Sequence, residues 1–224
     1  MPHRKFPLIN GQIYHVINRG VASIPIFRNK KDYIHFTNTF SYYQFQNPPI
    51  RFSVFMKLSN QRRTEIIESR SNDTKNVSIL AYCLMPNHFH FLLKQLKDNG
   101  IREFSRLASD SFAKYINTKY ARKGPLMEGR FKNVLIETDD QILHVQRYIH
   151  LNPYSSYIVK DFSQLIDYRF SSLGEYLEKS KNTIIDKTLI MHLFGNNQSK
   201  FRNFIQDHAD YQRNLDIIKH KILE

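Results

Sequence analysis

Residues 77–94 read VSILAYCLMPNHFHFLLK, and the break at Pro86-Asn87 divides them into two apolar runs that decide the fold. Val77 to Met85 is a continuous apolar run of strand length bounded by turn formers, which reads as a buried strand. His88 to Lys94 reads as a second strand, in which side chains alternate between faces. Alternation puts His88 and His90 on one face and Phe89 on the other.

Outward from this pair the elements follow in order. Gln12 to Gly20 (QIYHVINRG) is β-branched and aromatic and stops at a glycine, so it reads as a strand. Asn29 is placed to cap a helix over 30–46, where Tyr33, Phe36, Phe40 and Tyr43 recur at helical spacing and Asn47-Pro48-Pro49 ends it. Ile101 to Tyr120 carries a long apolar stripe that closes at Lys123-Gly124-Pro125, and Phe131 to Ile136 is a short strand. Thr138, with Gln141 three residues on, opens a last helix. That helix is expected to finish near Asn152, because a proline disfavours helical geometry in the residue before it. The order β-α-β-β-α-β-α predicts an α+β, ferredoxin-like fold with an antiparallel-containing sheet and helices packed on one face. We place the sheet domain at residues 1–160, with a charged insertion at about 47–76. A mainly helical C-terminal extension follows over 161–224, where Ser171 to Leu177 and Ile184 to Leu223 read as amphipathic helix.

The 224 residues carry a net charge of +13, which points to a polyanionic partner, nucleic acid first and an anionic membrane surface second. With 41% apolar residues, 17 Phe and 13 Tyr the chain can build a core, so it is no disordered basic tail. No apolar stretch reaches membrane-spanning length, and Met1 to Asn10 lacks the apolar segment of a secretory signal. The single cysteine, Cys83, lies inside an apolar run and reads as a buried thiol. A cytoplasmic protein is expected.

Two constellations bear chemistry. Two imidazoles a pleat apart, as in His88-Phe89-His90, can reach one cation. With oxygen ligands added, such a site suits Mg²⁺ or Mn²⁺; the plain alternative is a pair of half-exposed strand histidines. On the last helix Gln141, Tyr148 and Asn152 share a narrow stripe beside the apolar Ile142, Val145 and Ile149. Periodicity alone reads Tyr148 as a core-edge aromatic with a wet hydroxyl, as most tyrosines are.

The strings YHVINRG (14–20), AYCLMPNHFHFLL (81–93), GPLMEGRFKNVLI (124–136), RYIHLNP (147–153) and YRFSS (168–172) occur in the order and spacing of one family. Over about residues 8–177 the chain resembles the REP-associated tyrosine transposases of the single-tyrosine HUH superfamily. The resemblance implies a metal-dependent enzyme that nicks and joins single-stranded DNA at palindromic hairpins through a 5′-phosphotyrosine intermediate. It implies Tyr148 as nucleophile, and His88, His90 and Asn152 around Mg²⁺ or Mn²⁺. Relatives form dimers, so a second copy of the chain is one candidate partner, and a nucleoid-associated place in a bacterial cytoplasm is implied. A catalytically silent hairpin-binding descendant is the alternative. The chain departs from the pattern in its long 50–76 segment, in Tyr154 where valine is usual and in Phe170 where tryptophan is usual.

Arg19, Arg130 and Lys132 at strand ends, with Arg62 and Arg63 in the insertion, are candidate DNA contacts. His144 is a candidate base one turn before Tyr148, while His150 and His15 read as structural.

Overall fold

The computed structural model describes residues 7–70, 74–179, 184–210 and 213. The first six residues of the basic N-terminus and the Leu223 end of the expected last helix lie outside them. The strands are β1 (Ile13–Arg19), β2 (Val77–Met85), β3 (His88–Gln95) and β4 (Lys132–Ile136), paired antiparallel throughout in the order β2-β3-β1-β4. The helices are α1 (Lys30–Tyr43), α2 (Phe52–Phe55), α3 (Asn60–Ser69), α4 (Gly100–Lys119), α5 (Asp139–Ser155), α6 (Phe162–Ile166), α7 (Leu173–Tyr176), α8 (Thr188–Leu193) and α9 (Gln198–Gln206).

Local chemistry accounts for the boundaries. Asn29 and Asp32 form a reciprocal capping box at the start of α1. The Thr138 side chain accepts from the Gln141 amide at 3.2 Å, and Gln141 Oε1 accepts from the Glu137 amide, one residue earlier than a capping box places it. The expected end of α5 near Asn152 is corrected: the helix contains Pro153 and runs to Ser155. Leu151 to Ser155 are all buried, so packing outweighs the local proline penalty. The single helical stretch expected over 184–223 is also corrected. Gly195 and Asn196 take left-handed φ of 62° and 56° and stop α8 before α9 begins.

The sheet separates two apolar clusters, which corrects the expectation of helices on one face. Phe36 and Phe40 of α1 and Phe104, Phe112 and Ile116 of α4 pack with Val16, Phe89, Phe91 and Leu93 on the first face. Ile142, Ile149 and Leu151 of α5 pack with Ile13, Leu80, Cys83 and Leu92 on the second, together with Leu165, Tyr176, Ile190 and Phe201 of the C-terminal segment. A register shift between Ile79 and Ala81 re-phases β2, so that Cys83 and Met85 face the second side while Tyr82 and Leu84 face the first.

Every residue of β2 is buried although it is an edge strand. The segment Tyr168–Ser172 lies along its outer side. Leu84 donates its amide to the Phe170 carbonyl at 2.8 Å, Ser172 donates its amide to the Tyr82 carbonyl at 3.0 Å, and the Tyr168 hydroxyl donates to the Leu84 carbonyl at 2.7 Å. The YRFSS string therefore covers an otherwise open edge. Its Phe170 stacks on Tyr33 with ring centroids 4.0 Å apart. Tyr154 donates to Asp210 Oδ1 at 2.6 Å and carries the Arg213 guanidinium 3.3 Å above its ring. Tyr154 and Phe170, the two single-residue departures from the family pattern, thus have local partners.

Candidate active site

His88 and His90 project from the start of β3 onto the second face. Cross-strand partners share a face in an antiparallel ladder, so Arg19 and Ile17 of β1, opposite His88 and His90, lie on the same side. Lys132 lies opposite Ile17 from the other flank and is exposed.

Each imidazole is held at Nδ1. His88 Nδ1 is 2.7 Å from Asn87 Oδ1, and His90 Nδ1 is 2.9 Å from His15 Nε2. On the other side of His90, Nε2 lies 3.5 Å from the Asn152 amide nitrogen, and Asn152 also hydrogen-bonds His88. The rings of His88 and His90 stand edge to face with centroids 4.9 Å apart. Asn152 and His90 are buried, at 4% exposure each, whereas His88 and Tyr148 are half-buried.

Helix α5 brings Tyr148 in because Tyr148 and Asn152 are one turn apart. The Tyr148 ring is 5.4 Å from that of His90, at 88°, and 6.1 Å from that of His15, at 74°. Tyr148, His88, His90 and Asn152 therefore meet on one side of the sheet. His15 is a fifth member that sequence reasoning set aside. The alternation of β1 places it on one face, but only the register with β3 sets it beside His90.

Burial pushes His88 down to about 4, with Arg19 adding to the shift, and pushes His90 well below the usual imidazole range, with His88, His15 and Arg19 adding to the shift. Both are neutral at pH 7, the state in which an imidazole binds a cation. Among the described residues no group of three or more His, Cys, Asp or Glu side chains is arranged to hold a metal. The donor set is two neutral imidazoles and one amide, which fits a hard divalent ion that keeps other positions for water and phosphate.

The remaining candidates divide. Arg130, exposed, lies two residues before β4, so with Arg19 and Lys132 it belongs to the strand ends on the histidine side of the sheet. Arg62 and Arg63 belong to α3, whose Ile66 packs against the first-face cluster, and the structure does not bring them to the histidines. Arg62 pairs with Glu65 at 2.8 Å, and Arg63 bonds Asn60 and lines a cavity of about 350 Å³ with Tyr42, Phe45 and Phe55. The His144 Nδ1 is taken by Arg147 at 2.8 Å. His150 is fully buried between Gln146 Oε1 at 3.0 Å and Ser172 Oγ at 2.8 Å, a structural tie between α5 and the strip along β2.

Comparison with known proteins adds a family. The model of the family described as "Transposase IS200 like" matches residues 40–152. A solved structure titled "Structure of the REP associates tyrosine transposase bound to a REP hairpin" is similar at 18% identity and a TM-score of 0.48, covering 84% of this chain and 93% of that one. No curated protein matches. No helix among the described residues is long and apolar enough to cross a membrane.

Proposed function

Since the chain belongs to the IS200-like transposase family, we propose that it nicks and rejoins single-stranded DNA at palindromic hairpins with Tyr148 as nucleophile. The observation that carries the reading is the meeting of the Tyr148 ring with His90, 5.4 Å apart, while Asn152 of the same helix contacts both histidines. A tyrosine in ordinary core packing has no need of two neutral imidazoles and an amide beside it.

His88, His90 and Asn152 are the residues that would hold Mg²⁺ or Mn²⁺, the amide turning over to offer Oδ1. When bound, the ion supplies Lewis-acid polarisation and orientation of the scissile phosphate. The rest falls to the chain itself. A tyrosine hydroxyl ionises near pH ~10, so only about one in a thousand is phenolate at pH 7 and the attacking group must be positioned rather than merely present. Anchored by Ile142, Ile149 and Leu151, α5 fixes that position. Attack by the phenol oxygen forms the phosphotyrosine bond as the bond to the 3′-oxygen breaks; the phenol loses a proton and the 3′-oxygen gains one. A phosphate ester is exchanged for another, so the step reverses readily and suits joining. Arg19, Arg130 and Lys132 supply positive charge at the strand ends near the site, where the DNA backbone would pass. Arg62 and Arg63 would touch DNA only where it extends beyond the site.

The test is incubation of the full chain with a library of single-stranded hairpins and Mn²⁺, followed by mass spectrometry for a nucleotide adduct on Tyr148. Adduct formation that survives Tyr148→Phe rules the reading out. Hairpin binding without any adduct in the parent protein would leave the silent, binding-only descendant.

A further inference from the structure

We infer that His15 is a positioning residue for the metal-binding end of His90, accepting the Nδ1–H of that imidazole so that its Nε2 lone pair turns toward the cation. The inference rests on the reading of the site given above and concerns a residue to which that reading assigns no role.

Two ring nitrogens 2.9 Å apart form a hydrogen bond only if one carries a hydrogen and the other does not. The opposite side of His90 decides which. There the Asn152 amide nitrogen, a donor, faces Nε2, so Nε2 is the bare nitrogen. The hydrogen of His90 is then on Nδ1 and points at His15 Nε2. His88 repeats the arrangement: its Nδ1 faces Asn87 Oδ1, an acceptor, which places the hydrogen there as well. His90 thus presents its Nε2 lone pair, held from behind by His15.

Competing roles for His15 fit less well. It is buried and its ring lies nearly parallel to that of His90, centroids 5.1 Å and 21° apart, which packing alone would produce. Packing alone does not direct nitrogen at nitrogen. A third-ligand role is blocked because the nitrogen nearest the site already accepts from His90. Partners behind metal-binding histidines commonly change affinity by 10–100-fold when removed.

The experiment measures Mn²⁺ affinity of the full chain by electron paramagnetic resonance titration, alongside thermal melting. His15→Phe keeps a flat ring and removes the acceptor, His15→Gln restores an acceptor oxygen at similar reach, and His90→Gln serves as reference. The expected result is loss of binding in His90→Gln, weakening of about 10–100-fold in His15→Phe, and recovery of most of it in His15→Gln. Parent-like affinity in His15→Phe, with His90→Gln deficient, overturns the inference and leaves the functional reading standing. Parent-like affinity in His90→Gln removes both. Long-range ¹H–¹⁵N correlation of the histidine rings in the unmutated, metal-free protein needs no variant to fold. His90 with its hydrogen on Nδ1 agrees; His90 with its hydrogen on Nε2 overturns.

Discussion

The ring of Tyr148 stands edge-on to that of His90, centroids 5.4 Å apart and planes 88° apart. An edge-to-face contact keeps the phenol beside the imidazole without stacking over its nitrogens, so the two groups can serve one phosphate between them. Removing the hydroxyl alone leaves that contact intact. Tyr148→Phe is expected to abolish the covalent DNA adduct while lowering stability by no more than about 1.5 kcal/mol, the net worth of a typical hydrogen bond, because the ring packing is kept. Adduct yield on denaturing gels and a melting curve check both halves.

Asn152 offers a second probe, because an aspartate is its near-isostere. A carboxylate buried between two imidazoles costs several kcal/mol when nothing neutralises it. Asn152→Asp is therefore expected to melt well below the parent in EDTA and to recover with Mn²⁺, since a ligand that binds only the folded state stabilises by mass action. Differential scanning fluorimetry across a Mn²⁺ series reads this directly, and a metal-independent melting temperature counts against the assigned ligands.

Glu175 lies away from the histidines, a buried residue of α7, and burial pushes its carboxyl up to about 7 against the opposing pull of the Ile185 amide and the Tyr82 hydroxyl. A carboxyl raised in the folded state holds its proton longer there than in the unfolded chain. Its contribution is whole below the unfolded value near 4.5 and is lost as pH rises through about 7. Stability is thus expected to fall by roughly 2–3 kcal/mol between pH 5 and pH 8, the part of the linkage that lies inside that window. Urea unfolding of Glu175→Gln should flatten that slope.

Charge at the strand ends is testable through salt. Arg19→Ala and Lys132→Ala are each expected to reduce the log–log salt slope of hairpin binding by ~0.7, the value for one phosphate on a single strand. Arg62→Ala is expected to leave the slope unchanged for a hairpin too short to reach α3. Fluorescence anisotropy between 50 and 300 mM salt (roughly the range where such slopes are linear) distinguishes the two groups.

Local order was legible in the sequence, and long-range order was not. Alternation in HFHFLLK placed His88 and His90 on one face, and the spacing of Tyr148 and Asn152 placed them on one stripe, because both patterns depend only on neighbours along the chain. That α5 covers the face opposite α1 and α4 depends on which strand pairs with which, and no local pattern encodes it. The same limit hid His15, whose significance comes entirely from β1 lying against β3. Pro153 misled for the converse reason: a local rule was applied where burial of Leu151 to Ser155 decides. The YRFSS string was recognisable as a motif, but its use as a strip along β2 emerges only when Ser172 is seen to bridge Tyr82 and His150.

That bridge has a practical consequence for anyone trimming the chain. A fragment stopping at residue 160 would retain every group assigned to the chemistry, yet it would lose the Ser172 hydroxyl that satisfies His150 and the side chains of Leu165, Tyr176 and Phe201 that shield Leu80, Cys83 and Ile149. Such a fragment is expected to come out of cells as insoluble material, Tyr148 present in sequence but carried on a helix with nothing to brace it from behind.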